Sequence, residues 1–174
     1  KDVIGQCCDG VKAQIGWHFC FGNAWGNDLL SGSFPEGYQT VLPHFLDTPG
    51  ITEFVLDYAN RDMAGIDFLK NLPKTTGVQV GVLDVRSNAI EAPETIAKRI
   101  RKVIAHVPPE KVTLSTDCGM KPLARMVAKM KLKALADALP AAAYSFLERP
   151  PPGEQLGVHG DGVAGVEPEG VERP

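Results

Sequence analysis

Short apolar runs alternate along this chain with longer stretches whose apolar residues recur every three or four positions. The runs at residues 13–20 (AQIGWHFC), 52–57 (TEFVLD), 78–84 (VQVGVLD) and 112–118 (VTLSTDC) have the length and composition of strands. A helical pattern follows each of them. At 38–46, Val41, Leu42, Phe45 and Leu46 supply an apolar face, with Pro43 as an interruption. At 62–71, Met63, Ile66 and Leu69 mark one face and Asp62 suits the N-terminal position. At 93–106, Pro93 and Glu94 suit a helix start. The segment 121–138 is rich in Ala, Leu, Met and Lys, all strong helix formers.

Strands alternating with helices in short units require right-handed crossovers and a parallel sheet. Four such units predict an α/β fold, roughly half of an eight-unit (β/α) barrel of the TIM type. The alternative is an open doubly wound sheet, but Gly22, Gly26 and Gly32 do not match the phosphate-binding glycine fingerprint of that class. The periodic pattern stops after Leu147. Residues 148–174 are crowded with Pro, Gly and Glu, too poor in apolar surface to offset the entropy of ordering. The sequence therefore predicts a folded unit over 1–147 and a disordered tail over 148–174, and His159, inside that tail, is a poor candidate ligand.

Three strand-like runs end in residues that bind metal ions. His18 and Cys20 lie two apart, so a strand projects both from one face. A His-x-Cys pair alone is a weak signal, because buried Cys behaves as a small hydrophobe. Cys118 at the end of the fourth run and Asp57 at the end of the second strengthen it. Catalytic zinc takes three or four such donors and keeps or frees one position for water or substrate. The residues thus predict a zinc site of His18, Cys20 and Cys118, with Asp57 as the natural fourth donor. Cys7 and Cys8 are adjacent, point apart and lie outside any strand, and they read as ordinary thiols.

Composition narrows the setting. A formal net charge of −3 over 174 residues, with no basic stripe, argues against nucleic-acid binding. The one basic concentration, Lys98 to Lys102, is interleaved with Ile96, Ile100, Val103 and Ile104 at helical spacing and reads as a solvated helix face. No apolar run is long enough to span a bilayer, no leader is recognisable, and four cysteines do not form a disulfide framework. These features predict a cytoplasmic protein. The chain opens at Lys1 without an initiator Met, which leaves room for an upstream segment.

Between about Gln14 and Ala138 the chain resembles the cobalamin-independent methionine synthase family and its single-barrel relatives, in the carboxyl-terminal half of their catalytic barrel. HFCFGN from His18, LDYANRDM from Leu56 and GVLDVRSNAIEAPETIAKRI from Gly81 carry the resemblance, together with the most specific block, STDCGMKPL from Ser115. It implies zinc held by His18, Cys20, Asp57 and Cys118, although the family usually has Glu where Asp57 stands. It further implies activation of a small-molecule thiol, homocysteine, as a zinc thiolate that accepts a methyl group from 5-methyltetrahydrofolate. Asp84 and Arg86 fall in a block that in the synthases carries Asp and then a proton-handling His, which makes them the catalytic candidates. Arg86 stays charged near neutrality and cannot shuttle protons, so the block departs from the pattern. Two alternatives stay open: thiol transfer with coenzyme M and an epoxide or a methylcorrinoid, and a half barrel that binds zinc without turnover. Half a barrel also exposes two sheet edges, which self-association or a missing amino-terminal half would cover.

Overall fold

A computed structural model describes residues 1–24, 26 and 36–147 of the chain. Its centre is a parallel sheet of four strands, β1 (Gly16–Phe19), β2 (Glu53–Asp57), β3 (Gly77–Leu83) and β4 (Val112–Thr116), in the order β1-β2-β3-β4. Sequential order without a reversal is that of half a (β/α) barrel. A doubly wound sheet would reverse direction at a switch point. The register sets His18 beside Val55, Leu56 beside Val80 and Gly81 beside Ser115, with an irregularity between Gly81 and Leu83.

Strand alternation divides the residues between two faces. One face carries Trp17, Phe19, Phe54, Leu56, Val78, Val80 and Leu114 into the core against the helices. Two helices cover much of it: α3 (Pro93–Ile104) through Ile96, Ile100 and Val103, and α4 (Arg125–Leu147) through Ala134, Ala138 and Ala142. Small residues on α4 allow it to lie close against α3. The other face carries His18, Val55, Gln79 and Ser115, and Gln79 Nε2 donates to Ser115 Oγ at 2.8 Å. In a barrel this is the inner face.

The helical elements differ in detail from expectation. A helix not foreseen, α1 (Asp2–Cys8), precedes β1, and within it Cys7 is exposed and Cys8 buried. The segment expected as a helix over 38–46 is a short α2 (Tyr38–Val41) continued by a 3-10 turn at Leu42–His44 that contains Pro43. Instead of a helix over 62–71, 3-10 turns occupy Ala59–Arg61 and Ile66–Asn71. Between them Asp62 and Met63 have positive φ, so Asp62 ends one turn rather than starting a helix. Ile66 and Leu69 are nonetheless both buried, because residues three apart eclipse one another in a 3-10 helix, and Met63, which precedes that turn, is buried as well. The last helix starts four residues later than expected, beyond Pro122, and continues through Pro140 to Leu147. The proposed tail and His159 lie outside the described residues. Among the described residues no helix is long and apolar enough to cross a membrane.

Candidate metal centre

The carboxyl ends of the strands bring three of the sequence-predicted ligands together. His18 lies on β1, Cys20 just beyond its end, and Cys118 two residues past the end of β4. Laid flat, a four-stranded sheet would separate its edge strands by roughly 14 Å. One ligand atom from each of His18, Cys20 and Cys118 nevertheless lies within 4.8 Å of the other two. Sheet curvature and the two inward-reaching loops close the distance. The loops are tied directly, since Asn23 Nδ2 donates to the Gly119 carbonyl at 3.0 Å. Thr116 Oγ1 donates to the Cys118 carbonyl at 2.8 Å and fixes the turn that carries the thiol.

The donor set fits zinc. Ligands around a tetrahedral zinc with two sulfurs and an imidazole stand roughly 3.5 to 4 Å apart, close to the spacing here. The His18 ring is oriented by Nδ1, which lies 3.1 Å from the Val55 carbonyl. A carbonyl only accepts, so Nδ1 carries the proton and Nε2 keeps its lone pair, the arrangement found at metal-bound histidines. Burial raises the Cys20 thiol above its ordinary pKa; the Gly22 N–H opposes this, and the neighbouring Cys118 and Asp57 add to it. A divalent cation between the sulfurs would reverse that balance in favour of thiolate. A cavity of about 310 Å³, lined by His18, Val55, Ser115, Thr116, Cys118 and Gly119, opens beside two of the three donors.

Asp57 is placed differently from the expectation of a fourth donor. Its side chain is 2% exposed and both carboxylate oxygens are engaged. Oδ1 accepts from the Tyr38 hydroxyl. Oδ2 accepts from Arg86 Nη2 at 2.7 Å and from the Phe21 N–H at 3.4 Å. Asp57 is not in the group of donor atoms formed by His18, Cys20 and Cys118.

Arg86 and Asp84, the two catalytic candidates, are engaged within the protein. The Arg86 side chain is 4% exposed; Nε and Nη2 donate to the Gly22 carbonyl at 3.0 and 2.6 Å, and Nη1 lies 3.5 Å from Asp117 Oδ2. Asp84 Oδ1 accepts the Arg86 backbone N–H at 2.8 Å, while the Asp84 N–H donates to Glu91 at 2.8 Å. Arg86 therefore joins β2, β4 and the loop carrying Gly22.

Two contributors were missed in the sequence. Asp117 is fully buried and accepts the N–H groups of Tyr58, Ala59 and Asn60 at 2.9, 2.8 and 2.7 Å, which anchors the residue before Cys118 to the end of β2. Burial, with the Asp57 charge, pushes its carboxyl up to about 7 against those three donors. An acid directly preceding a candidate ligand at a strand end was the available signal. Tyr38 places its hydroxyl against Asp57, 2.9 Å from the Phe19 carbonyl, and accepts the Asp57 N–H at 2.9 Å. Burial first, then the Asp57 charge, raises its phenol pKa. No local pattern around Tyr38 announces this role.

Known proteins resemble this chain in sequence and in fold. Residues 3–141 match the family model described as cobalamin-independent synthase, catalytic domain. A methionine synthase of Thermococcus kodakarensis is 33% identical over 131 residues, which are 75% of this chain and 34% of that protein. One of Pyrococcus horikoshii is 34% identical over 131 residues, with the same shares of 75% and 34%. A solved structure of a B12-independent methionine synthase from a Shewanella species, in complex with selenomethionine, superposes with a TM-score of 0.71 at 25% identity and covers 83% of this chain and 42% of that one. The chain thus spans about a third of the length of the curated relatives it matches. With the matched segment running from α1 into α4, the chain belongs to the cobalamin-independent methionine synthase family, in the catalytic domain.

Proposed function

We propose that this chain is the metal-bearing half of a zinc-dependent methyltransferase of the cobalamin-independent methionine synthase type. The observation that carries the reading is the convergence of His18, Cys20 and Cys118 within 4.8 Å at the carboxyl end of a parallel sheet, where barrel enzymes build their sites. His18, Cys20 and Cys118 would hold the ion. Zinc, when bound, supplies the positive charge that favours thiolate over thiol in an incoming substrate such as homocysteine. In the overall reaction the substrate sulfur gives up its proton and forms a bond to the methyl carbon of 5-methyltetrahydrofolate, the carbon–nitrogen bond breaks, and the departing nitrogen takes up a proton, so that tetrahydrofolate leaves with no net change in protons.

This chain's own residues do the positioning. Val55, through its carbonyl, holds the His18 ring. Asp117 anchors the Cys118 loop and Asn23 ties it to the loop after β1. The sheet ends at β1 and β4, and we place a complementary half barrel, or a second copy, on those edges to supply the contacts to the methyl donor. A second reading, thiol transfer with coenzyme M and an epoxide or methylcorrinoid, is favoured by one observation. The block in which the resemblance places a proton-handling His carries Arg86, buried and permanently charged between two carboxylates.

X-ray absorption at the zinc edge of the full chain, with and without homocysteine, tests the proposal. The expected result is replacement of one oxygen or nitrogen neighbour by sulfur on thiol addition, with release of a proton. An unchanged shell at saturating thiol would mark a closed structural site and defeat the methyltransferase reading.

A further inference from the structure

We infer that Arg86 fixes the number of protein ligands at this metal: by sequestering Asp57 it leaves a three-donor site of His18, Cys20 and Cys118, with the remaining position reserved for an external thiol. The inference rests on the zinc reading proposed above and specifies its ligand count.

The geometry is a competition for one carboxylate. Asp57 stands at the end of β2, and its Oδ2 lies 3.4 Å from the N–H of Phe21, the residue after Cys20. Both of its oxygens are nevertheless already engaged, Oδ1 by the Tyr38 hydroxyl and Oδ2 by the Arg86 guanidinium at 2.7 Å, and Asp57 is not in the group of donor atoms. Arg86 is not free to swing aside. Its Nε and Nη2 grip the Gly22 carbonyl, Nη1 lies against Asp117, and its backbone N–H is held by Asp84. Asp84 is held in turn by Glu91, whose other oxygen accepts from the buried Lys131 of α4 at 2.7 Å. Lys131 of α4 is thereby connected, through Glu91 and Asp84, to the backbone of Arg86. Without that guanidinium, Asp57 and Asp117 would share a buried site with no cation between them, and the nearest place for a compensating charge would be the metal beside Cys20. A carboxylate drawn there would become the fourth protein ligand, and an external thiol would have to displace it. Arg86 is thus a positioning residue for substrate entry, acting through Asp57.

The test compares wild type, Asp57→Asn, Arg86→Gln, Arg86→Lys and the double variant Arg86→Gln with Asp57→Asn. Zinc affinity, zinc-edge absorption and homocysteine affinity are read for each. In wild type and Asp57→Asn the shell should hold two sulfurs, one imidazole and one exchangeable light atom, with zinc affinity essentially equal. Arg86→Gln should bind zinc more tightly, gain a non-exchangeable oxygen, and lose homocysteine affinity by about tenfold or more, the scale on which residues behind metal ligands act. Arg86→Lys, which keeps the cation, and the double variant, which removes the carboxylate, should both return to wild-type thiol binding. A merely structural role for Arg86 would not be rescued by removing Asp57. If Asp57→Asn alone weakens zinc binding tenfold or more, Asp57 is already a ligand and the inference is overturned while the zinc reading stands. A wild-type chain that takes up no zinc would instead overturn the reading beneath it, and the inference with it.

Discussion

Lys131 of α4 is fully buried and places its ammonium 2.7 Å from Glu91 Oε2 in the loop after β3, with a further hydrogen bond to the Ala89 carbonyl. Glu91 Oε1 also lies 3.3 Å from Arg99 Nη1 and accepts the Asp84 N–H. The pair welds the loop that bears Arg86 to the longest helix. Removing one partner of a buried pair leaves the other charge uncompensated and costs about 3 to 5 kcal/mol. Lys131→Met should lower the Tm by about 8 °C or more, on the scale expected for a domain of this size. A shift within the error of a thermal melt would show that the pair contributes little.

The same pair gives the chain an acid limb. Burial alone would raise the Glu91 carboxyl, but the Lys131 hydrogen bond, the Asp84 N–H and the Lys131 charge together hold it below its ordinary value. A carboxylate lowered on folding contributes stability above its unfolded pKa and loses it as pH falls through the folded one. The wild-type denaturation midpoint should therefore decline from about pH 5 downward. Glu91→Gln, less stable at neutral pH, should show a shallower decline over that range. Parallel curves for the two proteins would assign the acid limb to other groups.

Gly81 sits on β3 opposite Ser115, where a Cβ would collide with the backbone and carboxylate of Asp117. The requirement is close approach, not backbone conformation. Gly81→Ala has to push Asp117 away from Tyr58, Ala59 and Asn60, with a cost of about 1 to 3 kcal/mol as for other overpacked interiors. Because Cys118 follows Asp117, zinc affinity should fall along with stability. Loss of stability with unchanged zinc affinity would show that the Cys118 loop does not depend on this contact.

Tyr38→Phe removes a hydroxyl that bonds the Asp57 side chain and accepts its N–H. Leaving those buried groups unpaired costs about 1 to 3 kcal/mol. The expected readout is a lower urea midpoint with an unchanged slope, since the aromatic ring still packs between Phe21 and Tyr58. A midpoint equal to wild type would mean that another donor replaces the hydroxyl.

How much of this was legible in the sequence follows the range of the interactions involved. The strands and their parallel order came from local apolar runs and the alternation with helices, and His18, Cys20 and Cys118 were visible because ligand-type residues end those runs. The 3-10 turns at Ile66–Asn71 escaped because Met63, Ile66 and Leu69 satisfy a period of three as well as one of 3.6. The engagement of Asp57 was beyond local reading. It depends on Tyr38, 19 residues before it, and on Arg86, 29 residues after it. Lys131 was equally hidden, for a lysine among Ala and Leu in a helix ordinarily faces water.

The metal site of His18, Cys20 and Cys118 is tested most directly by the zinc content of the purified chain. Wild type should carry about one zinc per chain, Cys20→Ser and Cys118→Ser should each lose it, and Cys7→Ser, at an exposed thiol in α1, should keep it. Full zinc occupancy in Cys20→Ser or in Cys118→Ser, or none in wild type, would contradict the account.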